Sequence, residues 1–196
     1  MSKMKILFVA SEAAPFIKTG GLADVAAALP KYLKRQGAEV KLVLPLYSLI
    51  DREKYQLRKM YDGSCVKMGN CEEWYSVYYA ETPCHYDAYF IEFNKYFDRY
   101  GVYDDKNSHQ EYQDNAYRYA FFCRAALQLS KDMGFQPDVV HVHDWQTSLI
   151  PYYLKKDHDS FYANTKSVLT VHNLPYQGVY GADVLSYAKV APEDFN

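Results

Sequence analysis

The chain has 196 residues, 49% of them hydrophobic and 23% charged, and 22 basic against 24 acidic groups leave a net charge of -2. That balance excludes the basic footprint of a nucleic-acid binder, and the apolar fraction excludes a disordered chain. The length suits one large domain with its own core, and tyrosine, at 21 residues, is the compositional oddity.

Cys65, Cys71, Cys84 and Cys123 make no C-x-x-C pair, which argues against zinc or a redox dithiol and fits a reducing cytoplasm. A Cys65–Cys71 bridge across a hairpin stays open as the alternative. The apolar run Ile6-Leu7-Phe8-Val9-Ala10 follows Lys3 and Lys5 but stops at Ser11-Glu12. It falls short of the about 7–15 residues of a secretory core, and nothing approaches the roughly 18 apolar residues of a membrane span. The expectation is a soluble cytoplasmic protein with neither nucleic-acid nor membrane partners.

Residues 4–10 read as a strand buried on both faces of a parallel sheet. Thr19-Gly20-Gly21 then leads into a helix from Leu22 to about Gln36, closed by Gly37, which Pro30 should kink or split. Residues 39–44 form a second strand, completing a βαβ unit. From Tyr47 to Tyr103 the period changes. Residues 66–68, 74–79 and 88–93 are short aromatic strands divided by Asp62-Gly63, Gly69-Asn70 and Thr82-Pro83 turns, giving a hairpin or meander plus one core strand. Residues 109–133 read as one long helix capped by Asn107 or Ser108, with Tyr112, Ala116, Tyr119, Ala120, Cys123 and Leu127 on its apolar face. Strand 138–141, helix 145–156 with Pro151 inside, and strand 167–171 restore the βαβ order. The fold class is a Rossmann-like, doubly wound, mostly parallel α/β domain with a tyrosine-rich excursion.

In such sheets ligands bind beyond the carboxyl ends of the strands, so three loops should meet on one rim. The first, Ser11 to Gly21, offers two glycines, a helix N-terminus and the mobile charge of Lys18 as an anion cradle. Taken alone it also fits an ordinary turn, and it matches neither a Walker A loop nor the G-x-G-x-x-G of a dehydrogenase. His141, His143, Asp144 and His172 invite a metal reading, since His-x-His puts both rings on one face of a strand. Against it stands Asp144 as the cap of the following helix, the reading preferred here. His172-Asn173, with Gln177 nearby, suits sugar hydroxyls. A nucleophile elbow and a closely spaced carboxylate pair are both missing from the sequence.

Together the loops resemble those of bacterial glycogen synthases and plant starch synthases. The matching segments are Ser11-Glu12 with Lys18-Thr19-Gly20-Gly21-Leu22-Ala23-Asp24-Val25, Pro137-Asp138-Val139-Val140-His141-Val142-His143-Asp144-Trp145, and Thr170-Val171-His172-Asn173-Leu174-Pro175-Tyr176-Gln177-Gly178. The resemblance implies the N-terminal half of a two-domain GT-B enzyme, a retaining transferase moving glucose from ADP-glucose to the non-reducing end of an α-1,4-glucan. It implies that Lys18, Gly20, Gly21, His172 and Asn173 face the donor, with Lys18 and His172 serving the reaction itself. Glu12, Tyr112, Asp144 and Asn173 would face the sugar or the acceptor, with no metal and no cofactor. The nucleotide-binding C-terminal domain would be absent from residues 1–196, leaving a fragment inactive by itself. The rival expectations are a non-catalytic α-glucan-binding module using tyrosine platforms and a metal hydrolase on His141, His143 and Asp144.

Overall fold

The computed structural model describes residues 3–82 and 86–195. The elements are β1 (Lys5–Val9), α1 (Gly21–Arg35), β2 (Glu39–Pro45), β3 (Arg58–Met68), β4 (Cys71–Glu81) and β5 (Asp87–Glu92), then α2 (Asn94–Phe97) and α3 (Asn115–Asp132). They continue as β6 (Val139–His143), α4 (Asp144–Thr147), α5 (Leu149–Lys156), β7 (Lys166–Thr170) and α6 (Leu185–Ala188). All seven strands join one sheet in the order β3-β4-β5-β2-β1-β6-β7. The five strands from β5 to β7 run parallel, and β3 and β4 extend the β5 edge antiparallel. The expected mostly parallel α/β sheet with a hairpin excursion is therefore what the chain forms.

The unbroken apolar runs explain the centre of the sheet. Leu7, Phe8 and Val9 of β1, Leu42, Val43 and Leu44 of β2, and Phe90 and Ile91 of β5 are all fully buried. A strand covered by helices on both faces needs no polar alternation. The chain leaves β1 toward β2 on one side and returns to β6 on the other, so strand order reverses between β1 and β6. The tyrosines are largely packing residues with a tied hydroxyl: Tyr47 meets Tyr119 at 3.0 Å, and Tyr153 donates to Ala188 O at 2.9 Å.

Several local expectations are corrected. The largest concerns residues 109–133, where the helix starts only at Asn115. Asn107 and Ser108 cap nothing; their backbone N–H groups donate to the Asp105 carboxylate at 2.9 Å each, in a turn. His109 has φ 56, incompatible with a continuing right-handed helix. Tyr112 therefore precedes the helix, in a segment closed on itself by the Asp104–Glu111 bridge. Gly101 makes that closure possible: at φ 153, a Cβ there would lie 1.8 Å from Asp104 O. Pro30 does not split α1, which runs unbroken through it. The 66–68 and 74–79 runs belong to two strands of 11 residues each, and Asp62-Gly63 marks a register shift inside β3, not a turn. Gly69-Asn70 is the hairpin loop. Cys65 pairs with Trp74 across it and Cys71 with Met68, and both thiols are free, so no bridge forms between them. The strand expected at 138–141 extends to His143, and helix 145–156 divides into α4 and α5 at Ser148. Cys84 and the Pro83 of the expected turn lie outside the described residues.

Candidate active site

The loop after β1 is organised by Glu12, a carboxylate only 3% exposed. Its Oε2 accepts from Thr19 N at 2.5 Å and Thr19 Oγ1 at 2.8 Å, with Gly20 N at 3.4 Å. Gly20 is the N-cap of α1, so a negative charge already occupies the positive end of that helix. The Thr19 backbone and hydroxyl donors of the expected anion cradle are thus engaged by the chain itself. At the two glycines there is open space: a Cβ on Gly21 would meet nothing within 4 Å and one on Gly20 only Glu12 Oε1 at 3.8 Å. Both would project without clash.

At the end of β6 the backbone turns sharply, with Asp144 at φ 55. The helix-capping role expected of Asp144 is not what its carboxylate does. His143 is the N-cap of α4, and its N–H donates to Thr147 Oγ1 at 2.6 Å. Asp144 Oδ1 reaches across to the β7 loop and accepts from His172 N at 2.7 Å. A left-handed non-glycine residue carries local strain of order 1–3 kcal/mol, and here the geometry ties two loops of the sheet rim together.

The histidines are linked side by side. His141 Nε2 lies 2.8 Å from Thr170 Oγ1, and His143 Nδ1 lies 2.9 Å from His172 Nε2. The rings of His141 and His143 are 4.3 Å apart, as expected of alternate residues on one strand face. Burial pushes the His143 imidazole down to about 3, helped by its two histidine neighbours, and burial lowers His141 as well. Both are neutral near pH 7. Among the described residues no group of three or more His, Cys, Asp or Glu side chains is placed to hold a metal ion.

These loops enclose a cavity of about 770 Å³. Glu12, Gly20, Gly21, Asp144, His172 and Asn173 all line it, so the structure brings together most of the residues singled out in the sequence. Lys18 is not among the lining residues: its Nζ sits 2.7 Å from Asp24 in an exposed ion pair. Nor is Tyr112, whose ring lies between the guanidinium groups of Arg99 and Arg118, each 4.9 Å from its centroid. The wall is completed by Tyr103, Asp104, Glu111, Trp145 and Tyr176, to which the sequence reading gave no role. Glu111 is hidden by the helical reading of residues 109–114, and Asp104 sits in no motif of its own; the adjacent Asp114-Asn115 pair, both cap-forming types, is the signal for the later helix start.

Four carboxylates, Glu12, Asp104, Glu111 and Asp144, line the cavity, and no Lys or Arg does. Carboxylates accept hydrogen bonds from hydroxyl groups, and Trp145, Tyr103 and Tyr176 add aromatic carbon to the same lining. The same charges repel a diphosphate. This chemistry fits a neutral polyol.

Sheet order, the switch point between β1 and β6 and the rim cavity place the chain in the GT-B class of glycosyltransferase folds. The family model for the starch synthase catalytic domain matches residues 5–196, and the chain belongs to that family. It is 44% identical over 190 residues to the glycogen synthase of Geotalea daltonii, covering 93% of this chain and 37% of that protein. It is 43% identical over 196 residues to glycogen synthase 2 of Geobacter metallireducens, covering 98% of this chain and 40% of the other. Among solved structures it matches the catalytic domain of starch synthase IV from Arabidopsis thaliana bound to ADP and acarbose. That match has a TM-score of 0.86 and 28% identity and covers 98% of this chain and 38% of that one. The chain thus spans about two fifths of the length of the curated relatives it matches.

Proposed function

We propose that this chain is the sugar-facing half of a glycogen (starch) synthase, a retaining transferase moving glucose from ADP-glucose to the non-reducing end of an α-1,4-glucan. The observation that carries the reading is the charge of the cavity: four carboxylates and no cation among its lining side chains. Such a wall holds glucose rings, and apart from Lys18 the cations that meet the diphosphate come from a second domain outside residues 1–196. Asp144 and Glu12 accept sugar hydroxyls, and His172 and Asn173 reach the donor glucose. Gly20 and Gly21 leave room for it. Lys18 is held only by an exposed pair, a weak tie, and swings from Asp24 toward the phosphates when donor enters. Tyr112 acts at one remove, by packing under the segment that carries Glu111. No metal or cofactor takes part in this reading, and the cytoplasmic setting belongs to it. No helix among the described residues is long and apolar enough to cross a membrane.

Calorimetric titration of the chain with a maltooligosaccharide and with ADP-glucose tests the proposal. The expected result is glucan binding weakened about tenfold in Asp144→Asn, since a charge-assisted hydrogen bond is worth about 1.5–3 kcal/mol. ADP-glucose should give little heat, and the chain alone should transfer little glucose, because an open half-site neither orients the reactants nor excludes water. ADP-glucose binding without glucan binding would overturn the assignment of this half to the sugar.

A further inference from the structure

His172 is read above as a sugar-facing group, and its ring is not independent. His172 Nε2 lies 2.9 Å from His143 Nδ1, with the two ring planes inclined by only 21° and their centroids 5.2 Å apart. His143 is wholly buried, packed between Phe8 and His141 with both ring centroids at 4.3 Å. Its other nitrogen, Nε2, is buried and has no hydrogen-bond partner.

These facts fix the protons. A neutral imidazole carries one N–H, and two arrangements satisfy the 2.9 Å contact. With the proton on His143 Nε2, that N–H would be a buried donor with no acceptor, an arrangement folded proteins seldom tolerate. With the proton on Nδ1, the N–H donates to His172 and only a lone pair is left bare. The second arrangement leaves the smaller deficit. His172 Nε2 is then an acceptor, and the neutral His172 ring must carry its own proton on Nδ1.

We infer that His143 is a positioning residue for His172: by donating Nδ1–H to His172 Nε2 it holds the sugar-facing ring in its Nδ1–H tautomer. The inference rests on the proposed sugar-facing role of His172 and adds a direction to it. The group offered to a sugar oxygen is a donor and not a lone pair, so His172 stabilises oxygen charge instead of removing a hydroxyl proton. Asp144 fixes the same residue from the other side by accepting its backbone N–H at 2.7 Å, so ring and backbone are set by two neighbours on the β6 loop.

Long-range 1H–15N correlation on the uniformly labelled chain reads the tautomers directly, with His172→Gln and His143→Asn identifying the two spin systems. The expected wild-type pattern is a protonated Nδ1 and a bare Nε2 at both His143 and His172. His143→Asn, whose amide N–H replaces Nδ1–H, should keep the His172 pattern. His143→Leu should let His172 shift to the Nε2–H form that a free imidazole side chain prefers. A wild-type His172 protonated on Nε2 overturns the inference, as does a folded His143→Leu variant with an unchanged His172. If the leucine variant fails to fold, the wild-type and asparagine spectra decide alone. Glucan titration of the same samples separates this from the proposed function: binding with the wrong tautomer removes only the positioning role, and the right tautomer without binding removes only the sugar reading.

Discussion

Replacing Glu12 probes the hinge of the candidate site. Its Oε2 holds Thr19 N at 2.5 Å and Thr19 Oγ1 at 2.8 Å; the Gly20 N contact at 3.4 Å is too long to count fully. Hydrogen bonds to a charged group contribute about 1.5–3 kcal/mol each, and a charge at a helix N-terminus adds about 0.3–1 kcal/mol. Burying the carboxylate offsets part of that sum. Glu12→Gln keeps an oxygen in place but removes the charge, and should cost about 1–2 kcal/mol. Glu12→Ala strands both donors, though water from the adjoining cavity can reach them, and should cost about 2–4 kcal/mol. For a domain this size 1 kcal/mol moves the midpoint of thermal unfolding by about 2–4 °C, so the two variants should separate clearly. Urea unfolding gives the totals, and amide hydrogen exchange at Thr19 and Gly20 gives the local share. If both variants unfold at the wild-type midpoint with unchanged exchange at those amides, the carboxylate is not what organises the loop.

Three further outcomes follow from the same geometry. Gly178→Ala should destabilise the β7 loop by about 1–3 kcal/mol, because φ is 64 and a Cβ would lie 2.5 Å from Trp145 Cδ2; a crystal structure or melting curve like wild type would contradict this. Gly21→Ala, with nothing within 4 Å of its new methyl, should melt like wild type and leave maltooligosaccharide binding unchanged; a melting point lowered by several degrees would show that the backbone there needs glycine. His143 stays neutral in the folded chain down to about pH 3, whereas the unfolded chain takes up that proton near about pH 6.5. Stability should therefore be full above about pH 6.5 and fall by about 1.4 kcal/mol per pH unit below it, and His143→Asn should flatten that slope. Urea midpoints across the acid range that decline equally in both proteins would refute the assignment.

How much was legible depended on whether a feature is local. The parallel strands announced themselves because burial on both faces forces continuous apolar runs, as at Leu7-Phe8-Val9 and Leu42-Val43-Leu44. Knowing the strands located their carboxyl ends, and with them Glu12, Gly20, Asp144, His172 and Asn173 on one cavity. What the sequence hid was reach. Whether Asp144 caps its own helix or pins the backbone of His172 is decided across a sequence separation of 28. Lys18 looks poised for an anion until Asp24, six positions on, is seen to hold it. The 109–114 segment carries helix-compatible residues, and only the closure around Gly101 and the Asp105 turn shows why they do not form one.

The acidic wall of the cavity has its footing in the core. Arg118, fully buried in α3, donates to Tyr96 O at 2.8 Å, Val102 O at 2.9 Å and Asn115 Oδ1 at 2.5 Å. Asn115 in turn offers its amide to Glu111 Oε1 and to Tyr103 O, at 3.0 Å each. The irregular stretch that supplies Tyr103, Asp104 and Glu111 is therefore tied to a buried cation, directly at Val102 O and through the Asn115 amide, beside the side-chain ties of Tyr103 to Ser11 and of Glu111 to Tyr180. Displacing that wall would strip the buried guanidinium of its acceptors, so the stretch is costly to move. It also means that a substitution deep in α3, at a residue that does not line the cavity, would reshape the cavity wall as surely as one in the lining.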